Sequence, residues 1–522
     1  MKHLFMILLT AAAVIANAQN LPVLQAQKCL GGGSNDLAKI IQQTKDGGCI
    51  VAGYSFSNDG DVSGNHGNLY PDCWIVKLSN RGAIQWQKCL GGSGDDEANS
   101  IQQTKDGGYI VAGFTLSNDG DVSGNHGFSD YWVVKLNSTG AIQWQKCLGG
   151  NSWERAQSVQ QTADGGYIVA GNSNSNDGNV SGNHGTDDFW IVKLSNAGAI
   201  QWQKCLGGSD GETPYSIQQT TDGGYIVAGF TLSNDGDVSG NHGYFDYWIV
   251  KLNSAGAIQW QKCLGGTGVY DIAYSIQQTA DEGYIVAGET SSNNGDVSGN
   301  HGFGDYWVVK LTGAGIIQWQ KCLGGSDWDK AYSIRQTTDG GYIVAGSTGS
   351  KDGDVSNKHG RADYWVVKLT GAGVIEWQKC LGGNMNDNAY SIEQTTDGGY
   401  IVAGVSDSNN GDVYGNHGGD DYWLVKLSAS GNLISQLPNN NSSFIIQNSS
   451  FRISPNPVQS ILRITGLSAI KNYELRIMNE SGTVVLNAQV KNISSYDIDV
   501  NRLAAGIYYL QAGEEKVKFV KE

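Results

Sequence analysis

One loop of this chain has the residue spacing of a calcium-binding loop. Asp119-Gly-Asp-Val-Ser-Gly124 is followed by Asp130 at the twelfth position. Side-chain oxygens at positions one, three, five and twelve, with a turn-forming glycine at six, can converge on a hard cation. Three copies keep this pattern. They predict calcium ligands at Asp119, Asp121, Ser123, Asp130, Asp177, Asn179, Ser181, Asp188, Asp235, Asp237, Ser239 and Asp246.

The remaining copies of this loop depart from the pattern. Tyr70 occupies the twelfth position in the first copy, Asn294 and Asn410 occupy the first position in two others, and Asn357 replaces the glycine in another. The flanking segments read as strands, whereas an EF-hand has helices there. Asp, Asn, Ser and Gly also form the Asx-turns of any long loop. Calcium binding and local hydrogen bonding are therefore both open.

Each copy of the loop also contains a histidine before a glycine, and a set of histidines could in principle hold a metal. Equivalent positions on neighbouring repeats lie too far apart to share an ion at bond lengths of ~2 Å. We therefore predict a hydrogen bond inside each loop, rather than a metal site, for His66, His126, His184, His242, His301, His359 and His417.

Aromatic residues that are not shared by the copies mark a second candidate surface. Some lie in the loop that precedes the first strand of a repeat, here called the leading loop, and others lie late in the long loop just described. If the first strand is innermost, both loops open on one face, where binding sites are common. Exposed aromatic rings between carboxylates suit glycan or protein recognition, although they could instead cover neighbouring loops. The residues are Trp153, Tyr270, Trp328, Phe128, Tyr244, Phe245 and Phe303.

No catalytic arrangement is evident from the sequence. An active site needs unlike residues that converge once, whereas nearly every polar residue here is copied in each repeat. Paired acids such as Asp95 and Asp96 could in principle serve a glycosidase, but nothing in the sequence distinguishes them. We predict no catalytic residue, no cofactor other than calcium, and a protein that is not an enzyme.

These candidate residues lie within one unit that is repeated seven times. The anchors Cys29, Cys89, Cys147, Cys205, Cys263, Cys322 and Cys380, each before Leu-Gly-Gly, are 60, 58, 58, 58, 59 and 58 residues apart. A fixed period of this length indicates one supersecondary unit stacked on copies of itself. Four short strands can be read in the copy from Ala98 to Leu148, separated by Gly-containing turns.

The pattern predicts an all-β, seven-bladed β-propeller with four-stranded blades. Leu24 to Leu30 matches the fourth strand of a repeat without its three partners, so we expect it to complete the last blade and close the ring. Tryptophans such as Trp132 and Trp144 are expected in the core between blades.

Seven cysteines occupy equivalent positions and are predicted to be free, buried thiols, because equivalent positions on neighbouring blades exceed the ~7 Å Cα separation of a disulfide. Cys49 and Cys73 replace tyrosines in one repeat, on two strands that should be neighbours. We predict a cross-strand disulfide between them. The alternative is two independent substitutions.

The chain begins with the features of a secretory signal peptide. Lys2 precedes the apolar run Leu4 to Ile15, and Ala16-Asn-Ala18 is a small-residue cleavage pattern. The run is too short to span a bilayer of roughly 30 Å, and no later segment reads as a transmembrane helix. The formal charge of −16 argues against nucleic-acid binding. We expect a secreted protein, cleaved near Ala18 and monomeric.

Two resemblances to known families follow from the motifs. Gln-Lys-Cys-Leu-Gly-Gly, Ser-Ile-Gln-Gln-Thr and Asp-Gly-Gly-Tyr-Ile-Val-Ala-Gly resemble the bacterial β-propeller repeat family over about residues 23 to 435. Ser454-Pro-Asn-Pro457, Asn479-Glu-Ser-Gly482, Leu503-Ala-Ala-Gly-Ile-Tyr-Tyr509 and the Lys-rich end resemble the type A C-terminal sorting domain of the type IX secretion system. The second resemblance implies a Bacteroidota source and an encounter with the type IX machinery.

The domain organisation expected from these features is a signal peptide at 1–18, a propeller at 19–437, an Asn/Ser-rich linker at 438–450 and a sorting domain, read as a small β-sandwich, at 451–522. The function expected is a secreted or cell-surface, non-enzymatic propeller that binds a glycan or protein partner through its loop-rich face. An extracellular polysaccharide hydrolase and a structural surface component without a small ligand are the alternatives.

Overall fold

The computed structural model describes residues 21–67, 69–429, 452–454, 459–465, 472–479, 483–491, 495–512 and 515–521. The predicted signal peptide and the predicted linker 438–450 lie outside these residues. The chain divides into two compact units, Met1–Ile446 and Gln447–Glu522, and the division falls inside the predicted linker. All regular structure in the described residues is β-strand. The described residues include no helix able to cross a membrane.

The described residues of the first unit form 28 strands. The first thirteen are β1 (Leu24–Leu30), β2 (Asp36–Gln43), β3 (Cys49–Ser55), β4 (Asp72–Leu78), β5 (Ile84–Leu90), β6 (Asp96–Gln103), β7 (Tyr109–Thr115), β8 (Asp130–Leu136), β9 (Ile142–Leu148), β10 (Glu154–Gln161), β11 (Tyr167–Ser173), β12 (Asp188–Leu194) and β13 (Ile200–Leu206). The others are β14 (Glu212–Gln219), β15 (Tyr225–Thr231), β16 (Asp246–Leu252), β17 (Ile258–Leu264), β18 (Asp271–Gln278), β19 (Tyr284–Thr290), β20 (Asp305–Leu311), β21 (Ile317–Leu323), β22 (Asp329–Gln336), β23 (Tyr342–Thr348), β24 (Asp363–Leu369), β25 (Ile375–Leu381), β26 (Asp387–Gln394), β27 (Tyr400–Ser406) and β28 (Asp421–Leu427).

These strands form seven antiparallel four-stranded sheets, each of which is a blade of the β-propeller kind. Blade 1 consists of β2 to β5, and each following blade consists of the next four strands, up to blade 6 with β22 to β25. Blade 7 combines β26, β27 and β28 with β1. Ala26 pairs with Lys426 as Trp144 pairs with Lys135 in blade 2. The prediction that the N-terminal strand completes the last blade is confirmed.

Large aromatic side chains fill the contacts between blades. Trp190 of blade 3 is fully buried and its ring centroid lies 4.5 Å from that of Tyr131 in blade 2. The Tyr131 hydroxyl donates a hydrogen bond to the Trp190 carbonyl oxygen at 2.9 Å. This arrangement removes a large apolar area from water and satisfies the buried hydroxyl. The predicted core position is confirmed for Trp132, which is buried, whereas Trp144 is half-buried and packs against Tyr167 of the next blade with ring centroids 5.8 Å apart.

The seventh and first blades make the same kind of contact. The Tyr422 hydroxyl donates to the carbonyl oxygen of Trp74 at 2.9 Å, as the Tyr364 hydroxyl donates to that of Trp423 at 2.8 Å between the sixth and seventh. The first strand of each blade is called its inner strand. Between the inner strands β2 and β26, the backbone N–H of Gln43 donates a hydrogen bond to a carboxylate oxygen of Glu393 at 2.6 Å.

The predicted disulfide between Cys49 and Cys73 is wrong. Both cysteines are free and buried. They lie on the paired strands β3 and β4, but Cys49 is opposite Leu78, and Cys73 is opposite Tyr54. Five residues along a strand span roughly 16 Å, far beyond the reach of a disulfide. The seven repeated cysteines are also free and buried, as predicted.

The described residues of the second unit form seven strands: β29 (Arg452–Ser454), β30 (Ile461–Thr465), β31 (Asn472–Asn479), β32 (Val484–Lys491), β33 (Ser495–Asp499), β34 (Gly506–Ala512) and β35 (Glu515–Lys521). These strands form two antiparallel sheets, one in the order β29–β30–β33 and the other in the order β32–β31–β34–β35. Leu462, Ile464, Leu475, Ile477 and Leu510 are fully buried.

Candidate ligand-binding channel

The inner strand of every blade contains a β-bulge at an equivalent position. In blade 1 the pairing passes from Ala38 with Gly53 to Ile40 with Ala52, so one residue is left over. The other six blades show the same shift. An inserted residue of this kind is aimed differently from the regular strand residues. The seven bulge residues are Lys39, Asn99, Gln157, Tyr215, Tyr274, Tyr332 and Tyr390.

All seven bulge residues line one cavity of about 420 Å³, which we call the channel. Its volume lies in the range of small-molecule sites. Because each blade supplies one bulge residue, differences among the blades at this position make the channel wall asymmetric.

Four consecutive blades place a tyrosine at the bulge position, and we call these residues the tyrosine arc. Their ring centroids are separated by 4.9 Å from Tyr215 to Tyr274 and by 5.0 Å at each of the next two steps, to Tyr332 and Tyr390. Burial raises the pKa of Tyr215 to about 12 and also raises the pKa of Tyr390. The hydroxyls are therefore neutral at physiological pH and can both donate and accept hydrogen bonds.

Lys39, Asn99 and Gln157 form the opposite side of the channel, which we call the polar arc. The Lys39 ammonium lies 5.4 Å from the ring centroid of Tyr54 and 5.1 Å from that of Tyr390. Burial lowers the pKa of Lys39, and the charge of Glu97 partly offsets that effect. The Asn99 amide nitrogen donates to the carbonyl oxygen of Ala156 at 2.9 Å, which holds this side chain against the next blade.

Arg335 and Glu393 line the channel beside the tyrosine arc, and two further carboxylates, Glu97 and Glu289, lie next to lining residues. Burial raises the pKa of Glu97 to about 7, although Lys39 acts in the opposite direction. Glu289 is buried, accepts a hydrogen bond from the Tyr274 hydroxyl at 2.8 Å, and pairs with the Lys330 ammonium at 3.0 Å. This ion pair therefore fixes the orientation of one member of the tyrosine arc.

Residues beside the bulge hold neighbouring blades together. The Ser100 hydroxyl oxygen accepts the backbone N–H of Val159 at 3.2 Å. The Gln102 side-chain oxygen accepts the backbone N–H of Gln161 at 2.6 Å. These bonds fix the channel wall, so that the bulge residues are presented from a rigid frame.

The aromatic residues predicted as a ligand surface lie in loops that share one face. Trp153, Tyr270 and Trp328 of the leading loops form parallel bridges with residues at the end of the preceding blade's long loop. Their rings stack on Phe128, Phe245 and Phe303 with centroid distances of 5.5, 5.7 and 6.3 Å. Phe128, Tyr244 and Phe303 remain 62%, 59% and 67% exposed. The aromatic rings therefore cover neighbouring loops and also remain accessible.

The predicted calcium ligands do not converge. In the first complete copy, Asp119 accepts the backbone N–H of Ser93 at 2.7 Å and Ser123 accepts the Gln145 amide at 2.7 Å. Asp130 is bound by His126. The same separate partners recur for Asp177, Ser181, Asp188, Asp235, Ser239 and Asp246. Asn179 and Asp237 face the backbone N–H groups of Gly149 and Gly207.

Asp121 is the third residue of the loop that begins at Asp119. A carboxylate oxygen of Asp121 lies 4.0 Å from Nε2 of His66 in the preceding blade. In the part of the chain that the structure describes, no group of three or more His, Cys, Asp or Glu side chains is placed to hold a metal ion. The hydrogen bonds account for the residue types of this loop, and calcium binding stays a prediction.

The histidines make the hydrogen bond predicted for them. Nδ1 of His66 lies 2.6 Å from an oxygen of Asp72, and the other six copies repeat the contact. Burial lowers the pKa of His66, but the hydrogen bond and charge of Asp72 outweigh it and raise the pKa above its usual value. The histidine thus compensates the charge of a fully buried carboxylate.

The sequence analysis did not predict the channel residues as part of a site. Lys39 and the tyrosine arc lie in the inner strands of their blades, and the sequence of these strands resembles a repeated structural segment. The sequence did contain one indication of this site. In the repeated motif Asp-x-Ala-x-Ser-Ile-Gln-Gln, the residue between Ala and Ser changes from blade to blade. A strand pattern with strict alternation does not reveal that this position is a bulge.

Comparison with curated proteins gives one short match. The regulatory protein FlaEY of Caulobacter vibrioides is 27% identical over 167 residues, and the match covers 30% of this chain and 17% of that protein's length.

Comparison with solved structures gives matches to the fold. Sqt1 from Chaetomium thermophilum has 11% identity and a TM-score of 0.41, covering 79% of this chain and 100% of its own. The Neurospora crassa Pan2 WD40 domain has 10% identity and a TM-score of 0.43, covering 79% and 98%. The α-L-arabinofuranosidase Arb93A from Fusarium graminearum has 10% identity and a TM-score of 0.40, covering 64% and 93%. At these values the likeness carries no information about function.

The C-terminal unit matches a family model. Residues 452–522 correspond to the secretion system C-terminal sorting domain, which marks substrates of the type IX secretion system. Such a domain implies interaction with the type IX machinery and export to the cell surface or the extracellular space. The chain thus carries a type IX sorting domain behind a series of repeated four-stranded blades of the β-propeller kind.

Proposed function

We propose that this exported protein binds an extracellular glycan in the channel and at its loop-rich face, without chemical conversion of that glycan. The observation that carries the proposal is the tyrosine arc opposite the polar arc. The faces of tyrosine rings stack on the C–H surface of a sugar, while amides and hydroxyls bond to its hydroxyl groups. A site with both kinds of wall suits a carbohydrate.

We infer further that the seven blades form one closed ring and that the two C-terminal sheets pack as a sandwich. The bond from Tyr422 to Trp74 supports closure, because it repeats the contact made between other neighbouring blades. Closure matters for the proposed function, since only a closed ring surrounds the ligand with both arcs. We also propose that the signal peptide is removed near Ala18 and that the mature protein is a monomer.

A glycan array probed with the mature protein tests the proposal. Tyr274→Ala removes a central member of the tyrosine arc. The control is Ile316→Ala, because Ile316 is 62% exposed in the turn between β20 and β21, at the end of the blade opposite the long loop. We expect Tyr274→Ala to lower affinity for the bound glycan by about tenfold, since one aromatic contact contributes ~1 kcal/mol. Ile316→Ala should leave the affinity unchanged. No bound glycan on a broad array would contradict the proposal and favour a structural surface component.

A polysaccharide hydrolase is a second candidate, which Glu97 favours. Burial raises the pKa of this carboxyl to about 7, so it can hold a proton at neutral pH as a general acid must. Release of reducing sugar from a bound polysaccharide, abolished by Glu97→Gln, would establish the hydrolase. Binding without release, unchanged in the same variant, would support the non-enzymatic proposal.

A further inference from the structure

A continuous series of aromatic contacts joins the loop face to the tyrosine arc. The ring of Trp328 lies 5.9 Å from that of Tyr270, and Tyr270 lies 5.7 Å from Phe245. Phe245 lies 4.8 Å from Phe230, and Phe230 lies 6.2 Å from Tyr215, the first member of the tyrosine arc. We call Trp328, Tyr270, Phe245 and Phe230, together with Phe303 beside Trp328, the aromatic track.

The outer end of the track is open to solvent. Phe303 is 67% exposed, and Trp328 and Tyr270 are 37% and 39% exposed. Phe245 and Phe230 are half-buried and lead towards the channel. A ligand that fills the channel near Tyr215 can therefore continue along the track without leaving an aromatic surface.

The track is confined to one side of the molecule. Its members come from the fourth, fifth and sixth blades, which also supply Tyr215, Tyr274 and Tyr332. Phe128 and Trp153 form a similar stacked pair elsewhere on the loop face, but Trp153 lies next to Arg155. Among the described residues this pair touches no third aromatic ring, so it does not extend the track.

The width and surroundings of the track indicate the shape of its ligand. Its inner contacts join single aromatic rings in sequence, whereas a stable protein interface buries about 800 Å² on each partner around a broad apolar centre. The buried Glu289 and the partly exposed Lys330 form an ion pair beside Tyr274, and the Lys330 ammonium lies 5.4 Å from the ring centroid of Trp328. Polar groups thus flank aromatic faces, which suits a chain of sugar rings.

The charge of the protein selects among such chains. At the site, Lys39, Arg335 and Lys330 are matched by Glu97, Glu393 and Glu289, so there is no excess of cations to bind an acidic polymer. The formal net charge of −16 repels a polyanion, so a uronate or sulfated polymer is disfavoured. We propose that the ligand is an extended neutral polysaccharide whose end occupies the channel and whose chain lies along the aromatic track. This inference rests on the proposed glycan function and specifies the class and length of the ligand.

Isothermal titration of the mature protein with cello-, xylo- and manno-oligosaccharides, from disaccharide to hexasaccharide, tests this inference. In the series that binds, the hexasaccharide should bind at least about tenfold more tightly than the disaccharide, because only it reaches the track rings. Trp328→Ala should remove most of that gain and leave disaccharide affinity unchanged. Phe303→Ala, at a more exposed site, provides the same test with little risk to folding. Phe128→Ala tests whether the separate pair of Phe128 and Trp153 takes part instead. Ile316→Ala is the control that should change neither affinity, because Ile316 is 62% exposed in the turn after β20, at the end of that strand opposite the long loop.

The outcomes separate this inference from the proposed function. Equal affinity for disaccharide and hexasaccharide would overturn the extended ligand but leave glycan binding in the channel intact. Tighter binding of oligogalacturonates of matched length would overturn the neutral class. Loss of length dependence in Phe128→Ala but not in Trp328→Ala would overturn the assigned track. If none of these neutral oligosaccharides binds the wild-type protein at any length, this inference is overturned, and the proposed function fails with it only if the glycan array is also empty.

Discussion

On the inner strand, the residue type at the bulge position differs between blades, whereas the residue type at the next position is almost constant. The bulge position carries Lys39, Asn99, Gln157 and then four tyrosines, whereas the next position is serine in six of the seven blades. Those six serines each accept a backbone N–H of the following blade. A residue that bonds to the next blade is constrained by the repeated architecture. The bulge residues are not held to one residue type by a repeated bond of this kind, and the proposed ligand site is built from them.

The largest effect expected from this contrast is on stability. Trp248 is fully buried between blades, against Phe189 at 4.5 Å, and Trp248→Ala should cost about 3–5 kcal/mol through lost burial and a cavity. Tyr332→Ala should cost less than half as much, because its side chain is half-buried at the channel. Calorimetric unfolding of both variants measures the difference. Equal losses would show that the channel wall is as constrained as the contacts between blades.

A substitution at a repeated glycine tests the constraint on the repeated positions further, with a smaller expected loss of stability. A Cβ on Gly149 would lie 2.3 Å from a carboxylate oxygen of Glu154 and 2.6 Å from one of Asp130, both fully buried. Gly149→Ala should therefore destabilise the protein by about 1–3 kcal/mol.

Gly211→Ala is the matched control for that substitution. Its Cβ would meet its nearest neighbour, Thr186, at 3.4 Å, which is an ordinary contact. This variant should unfold within about 0.5 kcal/mol of the wild type. A Gly149→Ala protein as stable as the control would contradict the tight packing of the acidic pair.

The buried acids also predict how stability depends on pH. Burial raises the pKa of Asp96, Asp387 and Asp421 to about 6, so their contribution to stability is complete below pH 3.8 and is lost as the pH rises to 6. Burial also opposes ionisation of Asp106 and Asp164, but hydrogen bonds from a threonine and a lysine prevail and lower each pKa to about 2. Their contribution is lost as the pH falls from 3.8 to 2.

Melting temperature should therefore increase as the pH falls from 7.5 towards 4 and decrease again below that value. Scanning calorimetry at fixed ionic strength measures both branches. Asp106→Asn should weaken the decrease at acid pH and leave the branch above pH 4 unchanged. A melting temperature that falls steadily from pH 7.5 to 4 would show that the buried acids are ionised in the folded protein without penalty.

The sequence predicted the strands and blades well because the same constraints are written many times. Leu24–Leu30 could be assigned to the last blade from its match to Ile142–Leu148, and the pairing of Ala26 with Lys426 bears this out. The predicted hydrogen bond at His126 also follows from repetition, since one explanation had to serve every copy.

The site was harder to predict, for two physical reasons. Strand register decides whether Cys49 and Cys73 meet, and neighbouring strands alone do not fix that register. A bulge changes the direction of Tyr274 relative to regular alternation, so its place in the channel wall depends on pairing that a single strand does not show. The calcium prediction relied on spacing, whereas convergence of the oxygens depends on partners such as Ser93 and Gln145.

The most direct test of the channel as the ligand site exchanges one bulge residue for that of another blade. Tyr332→Gln introduces the side chain that blade 3 already carries as Gln157 at the equivalent bulge position. Isothermal titration with the tightest-binding array glycan should give an affinity about tenfold weaker than that of the wild type, and the melting temperature should fall no further than that of Tyr332→Ala. An unchanged affinity in a stably folded variant would contradict the assignment of the ligand site to the channel.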